Sequence, residues 1–475
     1  MNAFNPSDLW YNSPLVIVTL TGLSVLVLEG IRRNNERAAF AVTIAGLLAA
    51  LGLSCLTYGS YETTFGGMVV HSVFGNYFTI IFLLAGILSV AAFRDFLKRF
   101  GIERSEYYAL VLFAIAGMIL MATADDLVVL FLGIELMSIS FYVLAGFMRK
   151  TSASNEAALK YFLLGAFTTG FLLYGIALMY GVSGTTSLSE IRNLFGTISE
   201  RPLFLIGIGL IIMALAFKIG AAPFHMWAPD VYEGAPTSVT AFMATAGKAA
   251  AFAAFLTVFV RGLDFSGTQA STLIGFIAAL SMIVGNVTAI SQNSVKRMLA
   301  YSSIAHAGYM LSGIAAGNQE GQTGIMFYAA AYLFMNIGAF SIVGMVEGDN
   351  GSRLTFDDYA GLSSRRPLIS AFMALFLFSL AGIPPFAGFF GKYYVFLAAV
   401  KADMTWLAIV GVLTSLISVY YYLRLVVQMY FREGEGDTAV RPASLGVVAV
   451  GFAALMILQL GLYPSFILRM ISGQF

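Results

Sequence analysis

The chain contains a nearly unbroken succession of apolar runs, each long enough to cross a lipid bilayer. A membrane-spanning helix needs about 20 predominantly apolar residues, and such runs recur throughout the 475-residue sequence. Only 11% of the residues are charged and 59% are hydrophobic, so most of the chain must be solvated by lipid rather than by water. The sequence therefore predicts an all-α polytopic membrane protein.

Fourteen spans are predicted from these runs. The first 14 residues contain no lysine or arginine, so they lack the basic region of a cleaved signal peptide, and the first run is expected to remain as a helix. The predicted spans are 15–31, 38–59, 74–93, 107–123, 125–147, 156–181, 203–222, 235–259, 271–290, 298–316, 322–347, 368–400, 405–430 and 443–467.

The loops differ in their content of lysine and arginine, which indicates the orientation in the membrane. Loops after even-numbered spans contain five such residues, namely Arg192, Arg201, Arg261, Lys401 and Arg469. Loops after odd-numbered spans contain 16, namely Arg32, Arg33, Arg37, Arg94, Lys98, Arg99, Arg104, Arg149, Lys150, Lys296, Arg297, Arg353, Arg365, Arg366, Arg432 and Arg441. Because basic loops stay in the cytoplasm, both termini are predicted on the periplasmic side of a bacterial inner membrane.

Several classes of function are excluded by the composition. The net charge of +1 gives no basis for nucleic-acid binding. A single cysteine, Cys55, excludes an iron–sulfur cluster or a thiolate zinc site within this chain. The three histidines, His71, His225 and His306, lie on separate segments and form no HExxH motif. We therefore expect no cofactor or metal in this chain, and any redox chemistry to occur elsewhere.

Two of the predicted helices are interrupted by proline, which breaks the helical hydrogen-bond ladder. Span 7 meets Pro223 and Pro229, and span 12 meets the pair Pro384–Pro385. A lysine lies next to each break, before the first and after the second. Interrupted spans in corresponding places of two halves indicate an internal repeat with function at the breaks.

Charged side chains also occur inside the predicted spans, where each costs about 2.5–3.5 kcal/mol at the bilayer centre. The clearest acids are Glu29 and Glu135, and the basic residues are Lys160, Lys218, Lys248, Lys392 and Arg424. Burial disfavours the charged form of a side chain, and an opposite charge nearby favours it. A lysine whose glutamate partner moves can therefore load and release a proton, which an arginine cannot do. We assign Glu135 and Lys218 as such a pair.

Other interpretations of these residues remain open. Lys160 lies a few residues into its helix, so it either snorkels to the inner surface or takes part in proton transfer. Arg424, near the end of its span, is expected to anchor the helix at the membrane surface. Glu29, at the edge of the first span, is expected to have a structural role. The buried lysines and Glu135 can also be explained as structural ion pairs. His225 and His306 are either relay groups or hydrogen-bonded core residues.

Five segments resemble one known family in order along the chain: GIELMSISFYVLAGF, EAALKYFLLGAFTTGFLLYGIALMYG, FKIGAAPFHMWAPDVYEGAPTSVTAFMATAGKAA, SVKRMLAYSSIAHAGY and LAGIPPFAGFFGKYYVF. They resemble subunit N of bacterial NADH:quinone oxidoreductase, or complex I. The resemblance covers about residues 107–430. It implies two inverted five-helix repeats, spans 4–8 and 9–13, in a membrane-arm subunit that moves one proton per turnover.

The resemblance also implies roles for individual residues. The family's glutamate of span 5 matches Glu135, and its lysines of spans 7, 8 and 12 match Lys218, Lys248 and Lys392. The span 6 lysine and the span 10 histidine match Lys160 and His306, and we add His225, which follows the first break. Flavin, iron–sulfur clusters and quinone are expected in partner subunits, and the partners are other membrane-arm subunits, lipid and protons.

The implied division of the chain is an N-terminal part at 1–106, a first repeat at 107–259, a second repeat at 271–430 and a C-terminal helix within 431–475. Two alternatives remain. A free-standing or multisubunit cation/proton antiporter would use the same buried lysines and broken helices. A structural subunit that only holds the membrane arm together would retain the buried charges because they fix how its helices align with one another.

Overall fold

The computed structural model describes residues 6–31, 35–263, 268–348, 352, 354–434 and 444–474. These residues form a bundle of α-helices, with an antiparallel hairpin of β1 (Glu62–Thr64) and β2 (Val69–His71) joined by a 3-10 turn at Phe65–Gly67. The prediction of an all-α polytopic fold is thus confirmed. Four loop residues used for the orientation lie outside the described residues: Arg32, Arg33, Arg353 and Arg441.

The helices follow the predicted spans closely. The N-terminal part contains α1 (Pro6–Tyr11), α2 (Ser13–Ile31), α3 (Glu36–Leu56) and α4 (Val73–Arg99). The next group contains α5 (Ser105–Thr123), α6 (Leu127–Ala145), α7 (Ser152–Ser183), α8 (Leu188–Ile198), α9 (Pro202–Ile219), α10 (Trp227–Gly234), α11 (Thr237–Phe242) and α12 (Lys248–Phe255). The last two are continuous through π-helical turns at Met243–Gly247 and Leu256–Gly262, so that one helix runs from Thr237 to Gly262.

The second half begins with α13 (Gln269–Ile290), α14 (Val295–Ala316) and α15 (Gln319–Val346). After a 3-10 turn at Asp357–Tyr359 it continues with α16 (Leu362–Arg365), α17 (Pro367–Ala381), α18 (Ala387–Lys401) and α19 (Thr405–Phe431). The chain ends with α20 (Ser444–Leu462) and α21 (Ser465–Ser472).

Among the described residues, 12 helices are long and apolar enough to cross a membrane. Two predicted spans are not among them. The span 298–316 is α14, which has 22 residues but carries polar side chains along its length. The span 368–400 is divided between α17 and α18, each of 15 residues. Each predicted span therefore has a helix or a pair of helices, while the number of membrane crossings stays a prediction.

Polar N-caps start many of these helices by accepting hydrogen bonds from the first free backbone N–H groups. Asp126 Oδ1 accepts from the backbone N–H of Val128 at 2.8 Å and so begins α6. Ser294 Oγ accepts from the backbone N–H of Arg297 at 3.2 Å and begins α14. Ser72, Ser187, Thr268 and Asn318 do the same for α4, α8, α13 and α15.

Burial places the centre of the bundle at two helices. Every residue of the most apolar stretch of α15 is buried, and 94% of that stretch is buried in the helix Thr237–Gly262. In α2 and α3 only 28% is buried, and many exposed positions on the outer helices are leucine, isoleucine, phenylalanine or tyrosine. An apolar exterior around a core that contains polar groups fits a bundle whose solvent is lipid.

The two predicted breaks share one geometry. At the first, α9 ends at Ile219 and Gly220 follows with a positive φ of 71°. At the second, α17 ends at Ala381 and Gly382 follows with a φ of 86°. Glycine adopts this left-handed conformation without the steric cost that other residues incur. A proline then lies three residues after each glycine, so that the chain cannot resume the helix at once.

Candidate functional site

Lys218 lies in the last turn of α9 and is 7% exposed. Its Nζ donates a hydrogen bond to Ser138 Oγ at 2.7 Å and lies 3.4 Å from Tyr142 OH. Both partners are on α6, one and two turns after Glu135. Glu135 instead accepts a hydrogen bond from Thr169 Oγ1 of α7 at 2.8 Å.

The predicted pairing of Glu135 with Lys218 is therefore not a direct contact. Their charged atoms do not form an ion pair within 4.0 Å, whereas other described pairs do. The side chain of Ser138, one turn after Glu135 on α6, occupies the position next to the ammonium. Glu135 itself is only half-buried, and Leu132 and Ile139, on the same face of α6, are exposed.

Lys248 lies at the junction between a π-helical turn and α12, within the largely buried helix Thr237–Gly262. It is 3% exposed. Its Nζ donates to both the backbone carbonyl and the Oγ of Ser303 on α14. The ring of Tyr332 on α15 lies 5.7 Å from the same nitrogen. The ammonium therefore rests on a hydroxyl, a carbonyl and an aromatic face, which stabilise a cation without a carboxylate.

His306 is one turn after Ser303 on α14 and is 1% exposed. Its Nδ1 lies 2.7 Å from Tyr328 OH of α15, and its Nε2 lies 3.1 Å from Tyr422 OH of α19. Tyr422 OH also lies 2.6 Å from Ser302 Oγ. A neutral imidazole has one donor and one acceptor nitrogen, and the hydroxyls on both sides suit either tautomer. The ring is thus placed to exchange a proton between two hydroxyls.

Lys392 lies on α18, after the second break, and is 5% exposed. Its Nζ donates to Ala381 O at 2.9 Å and to Ser415 Oγ of α19 at 2.7 Å. Ala381 is the last residue of α17, where a helix leaves carbonyls without intrahelical partners. The ring of Tyr309 lies 4.9 Å from the nitrogen. The break itself therefore supplies an acceptor to the lysine.

Lys160 and His225 lie apart from these buried groups. Lys160 has a side chain that is 41% exposed, and its Nζ pairs with Glu156 and Asp230, each at 2.7 Å. His225 lies between α9 and α10 and is half-buried. Its Nδ1 is buried and has no hydrogen-bond partner among the described residues.

Several contacts could not be selected from the sequence. The hydroxyls that hold the lysines, Ser138, Ser303 and Ser415, are three of many serines in apolar helices. Their only sequence signal is spacing, because Ser138 is three residues after Glu135 and Ser303 is three residues before His306. Tyr328 and Tyr422, which flank His306, come from two other helices and lie 22 and 116 residues further along the chain.

Protonatable side chains thus lie beside groups that both donate and accept hydrogen bonds. Lys248 contacts Ser303, and His306, one turn further along α14, contacts Tyr328 and Tyr422. Such groups can bind a proton and pass it on. Among the described residues, no three His, Cys, Asp or Glu side chains come together as a metal site. The fold and these buried groups define a polytopic membrane protein of the antiporter-like class.

The comparisons with known proteins give the family. A family model described as "NADH:quinone oxidoreductase/Mrp antiporter, TM" matches residues 124–418. NADH-quinone oxidoreductase subunit N of Trichlorobacter lovleyi is 47% identical, over 96% of this chain and 94% of its own. Subunit N 1 of Solibacter usitatus is 44% identical over 98% and 97%. The chain belongs to the NADH-quinone oxidoreductase subunit N family.

A solved structure is similar over the same length. One chain in the structure of respiratory complex I from Thermus thermophilus with bound aureothin is 35% identical and superposes with a TM-score of 0.84. The match covers 97% of this chain and 99% of that one. The resemblance stated from the sequence segments is confirmed, and the chain is a multi-pass membrane protein.

Proposed function

We propose that this chain is the proton-translocating membrane subunit of a respiratory NADH:quinone oxidoreductase. It would couple quinone reduction in other subunits to proton pumping across the membrane. The observation that carries the proposal is the set of three buried lysines, Lys218, Lys248 and Lys392, in a chain of the subunit N family. Hydroxyls and carbonyls rather than carboxylates hold their ammonium groups, so no direct ion pair fixes the charge. Lys218 can therefore respond to the charge of Glu135, and Lys248 and Lys392 can gain and lose protons.

We assign the following roles, which the geometry supports. Glu135 changes the electrostatic field at Lys218, because it lies on α6 one turn before Ser138, which accepts the hydrogen bond of the lysine. Lys248 receives the proton and passes it through His306 to Lys392, which releases it. Lys160 and His225 take part in proton uptake, and we include both among the residues that carry protons.

The two-repeat division is part of the proposal. The repeats would be 107–259 and 271–430, preceded by 1–106 and followed by the helix within 431–475. Two sets of contacts support it. The breaks at Gly220 and Gly382 have the same conformation. The residue that caps α6, Asp126, forms a bridge with Ser187, as the residue that caps α14, Ser294, does with Thr355.

The environment of Glu135 supports assembly with other membrane-arm subunits. It is half-buried in the middle of a membrane helix, with exposed apolar residues on the same face. A carboxylate at this depth is costly in lipid. We therefore assign this face of α6 to contact with a neighbouring membrane subunit. Flavin, iron–sulfur clusters and quinone would be bound by partner subunits, and the chain would lie in the bacterial inner membrane with both termini in the periplasm.

A cation/proton antiporter is the second candidate, because the matching family description includes Mrp antiporters. Purification in mild detergent separates the two candidates. As a complex I subunit the chain should elute with flavin and iron–sulfur absorbance and with donor:quinone activity. Elution of the intact, folded chain without either would favour the antiporter.

The pumping role is tested by Glu135→Gln. The substitution removes the charge but keeps an acceptor for Thr169, so we expect normal assembly and at least about tenfold slower pumping, or about 1.4 kcal/mol in the coupled step. The measurements are donor:quinone turnover and the proton gradient in inverted membrane vesicles. Glu106→Gln, at an exposed position of α5, is the control. Pumping at the wild-type rate in assembled Glu135→Gln complex would contradict the proposal.

A further inference from the structure

A charged cluster joins the short helix α10 to both halves of the chain. Asp230 on α10 uses its two carboxylate oxygens separately. Oδ2 lies 2.7 Å from Lys160 Nζ of α7, and Oδ1 lies 3.1 Å from Arg297 Nη2 of α14. The cluster is completed by Glu156, 2.7 Å from Lys160, and Glu233, 2.6 Å from Arg297. Asp230 thus contacts one cation from each half of the chain.

The position of Asp230 in the first half is that of Lys392 in the second. Asp230 follows Pro223 by seven residues, and Lys392 follows Pro385 by seven. Each proline lies three residues after a left-handed glycine that ends the preceding helix. The sequence shows a lysine before one break and after the other. Aligned on the breaks, the counterpart of Lys392 is an acid.

We propose that Asp230 is the gating residue for proton uptake in the first half, and that its bridge to Lys160 and Arg297 closes this path. This rests on the proposed function. Closed, the bridge holds α10 against α7 and α14. When it opens, water reaches the break between α9 and α10, beside which Lys218 lies in the last turn of α9.

The exposure and location of the bridge suit such a gate. The side chain of Asp230 is 36% exposed and that of Arg297 is 31% exposed, so water reaches the bridge from outside. Ion pairs in contact with water contribute little to stability, and this one can therefore open and close at low cost. All three helices meet at ends that the distribution of basic loops assigns to the cytoplasm. Lys392, its counterpart, is 5% exposed, as expected of an inner carrier rather than a gate.

The test compares Asp230→Asn, Asp230→Glu and Asp95→Asn in the assembled complex. Asp95 forms an exposed pair with Lys98 at 3.7 Å on the same predicted side, outside the cluster. Asn keeps the size of the side chain but cannot hold two cations, whereas Glu keeps the charge. The measurements are assembly, donor:quinone turnover and protons moved per quinone reduced in inverted vesicles, with Glu135→Gln as a reference.

We expect Asp230→Asn to assemble normally and to move fewer protons per quinone reduced, with a loss of up to the one proton per turnover that the resemblance assigns to this chain. Asp230→Glu should recover most of the ratio, and Asp95→Asn should match the wild type. A merely structural bridge would change the amount of complex but not this ratio. An unchanged ratio in Asp230→Asn, or an equal loss in Asp230→Glu, would overturn the gate.

Two further outcomes are distinguishable. If Glu135→Gln lowers pumping and Asp230→Asn does not, the gate is wrong and the pumping function stands. If neither lowers it, the function itself is wrong.

If Asp230→Asn fails to assemble, Arg297→Gln tests the same bridge from α14. It should lower the ratio by up to the same one proton per turnover, and an unchanged ratio would again overturn the gate.

Discussion

Three buried ammonium groups have similar partners but different surroundings. Lys218 donates to a serine on the helix that carries Glu135 one turn away, so an acid lies within electrostatic reach. Lys248 and Lys392 donate to a serine and a carbonyl each, and like Lys218 they lie near tyrosine rings. A lysine near an acid can act by its charge alone. A lysine held only by neutral groups is suited to give up its proton.

Substitution by arginine separates these two roles. Arginine keeps the charge and cannot deprotonate near neutral pH. We expect Lys218→Arg to retain appreciable turnover and pumping, whereas Lys248→Arg and Lys392→Arg lose at least about tenfold more in both. The measurements are donor:quinone turnover and the proton gradient in membranes with verified assembly. Lys150→Arg, at an exposed loop position, is the control.

Two results would contradict these roles of the three lysines. If Lys218→Arg is the most damaging of the three, the charge of Lys218 is not sufficient and the roles are reversed. If all three retain wild-type pumping, none of these lysines needs to release a proton.

The two broken helices differ in what surrounds their glycines. Gly220 and Gly382 both have positive φ, at 71° and 86°. A Cβ added at Gly220 would meet Ala228 Cβ at 3.5 Å, an ordinary contact. A Cβ added at Gly382 would lie 3.0 Å from Cδ and 3.1 Å from Nζ of Lys392. The second break is therefore shaped around its lysine, and the first is not.

Alanine at these two positions tests that difference. Each substitution costs about 1–2 kcal/mol for the left-handed conformation, so assembly should fall to a similar degree in Gly220→Ala and Gly382→Ala. Per assembled complex, Gly382→Ala should pump at least about threefold more slowly than Gly220→Ala, because it displaces the ammonium of Lys392. Equal pumping per complex in the two variants would show that Lys392 does not depend on the shape of the break.

The orientation of the chain determines which end of each path takes up protons. The basic loops predict cytoplasmic exposure of the loop between α4 and α5 and periplasmic exposure of the loop between α8 and α9. After replacement of the exposed Cys55 by alanine, single cysteines are introduced by Arg104→Cys and Glu200→Cys. An impermeant thiol reagent should label position 104 only in inverted vesicles and position 200 only in right-side-out vesicles. The opposite pattern would reverse the topology and place the Asp230 bridge on the periplasmic side.

Much of the candidate site could be predicted because a charge in an apolar helix is conspicuous. Glu135, Lys218, Lys248 and Lys392 each interrupt a run of apolar residues, and the burial of the three lysines is confirmed. Lys296 could not be identified in this way. It was assigned to a loop, yet it is 2% exposed and donates to Ala235 O at 2.7 Å. Its position at the start of α14 gives no sequence signal, since its hydrogen-bond partner, Ala235, is the residue that caps the end of α10.

The sequence by itself determined the class of protein, the helices and the residues that carry charge into the membrane. These follow from local causes: hydrophobic length, proline and glycine at the breaks, and the cost of an isolated charge in lipid. The partners of each charge depend on the packing of helices far apart in the chain. Ser138 rather than Glu135 contacts Lys218, and Asp230 joins Lys160 to Arg297. Those choices were decided only by the tertiary structure, because hydrogen bonds and ion pairs form over a few ångströms and spacing along one helix does not fix which helix lies opposite.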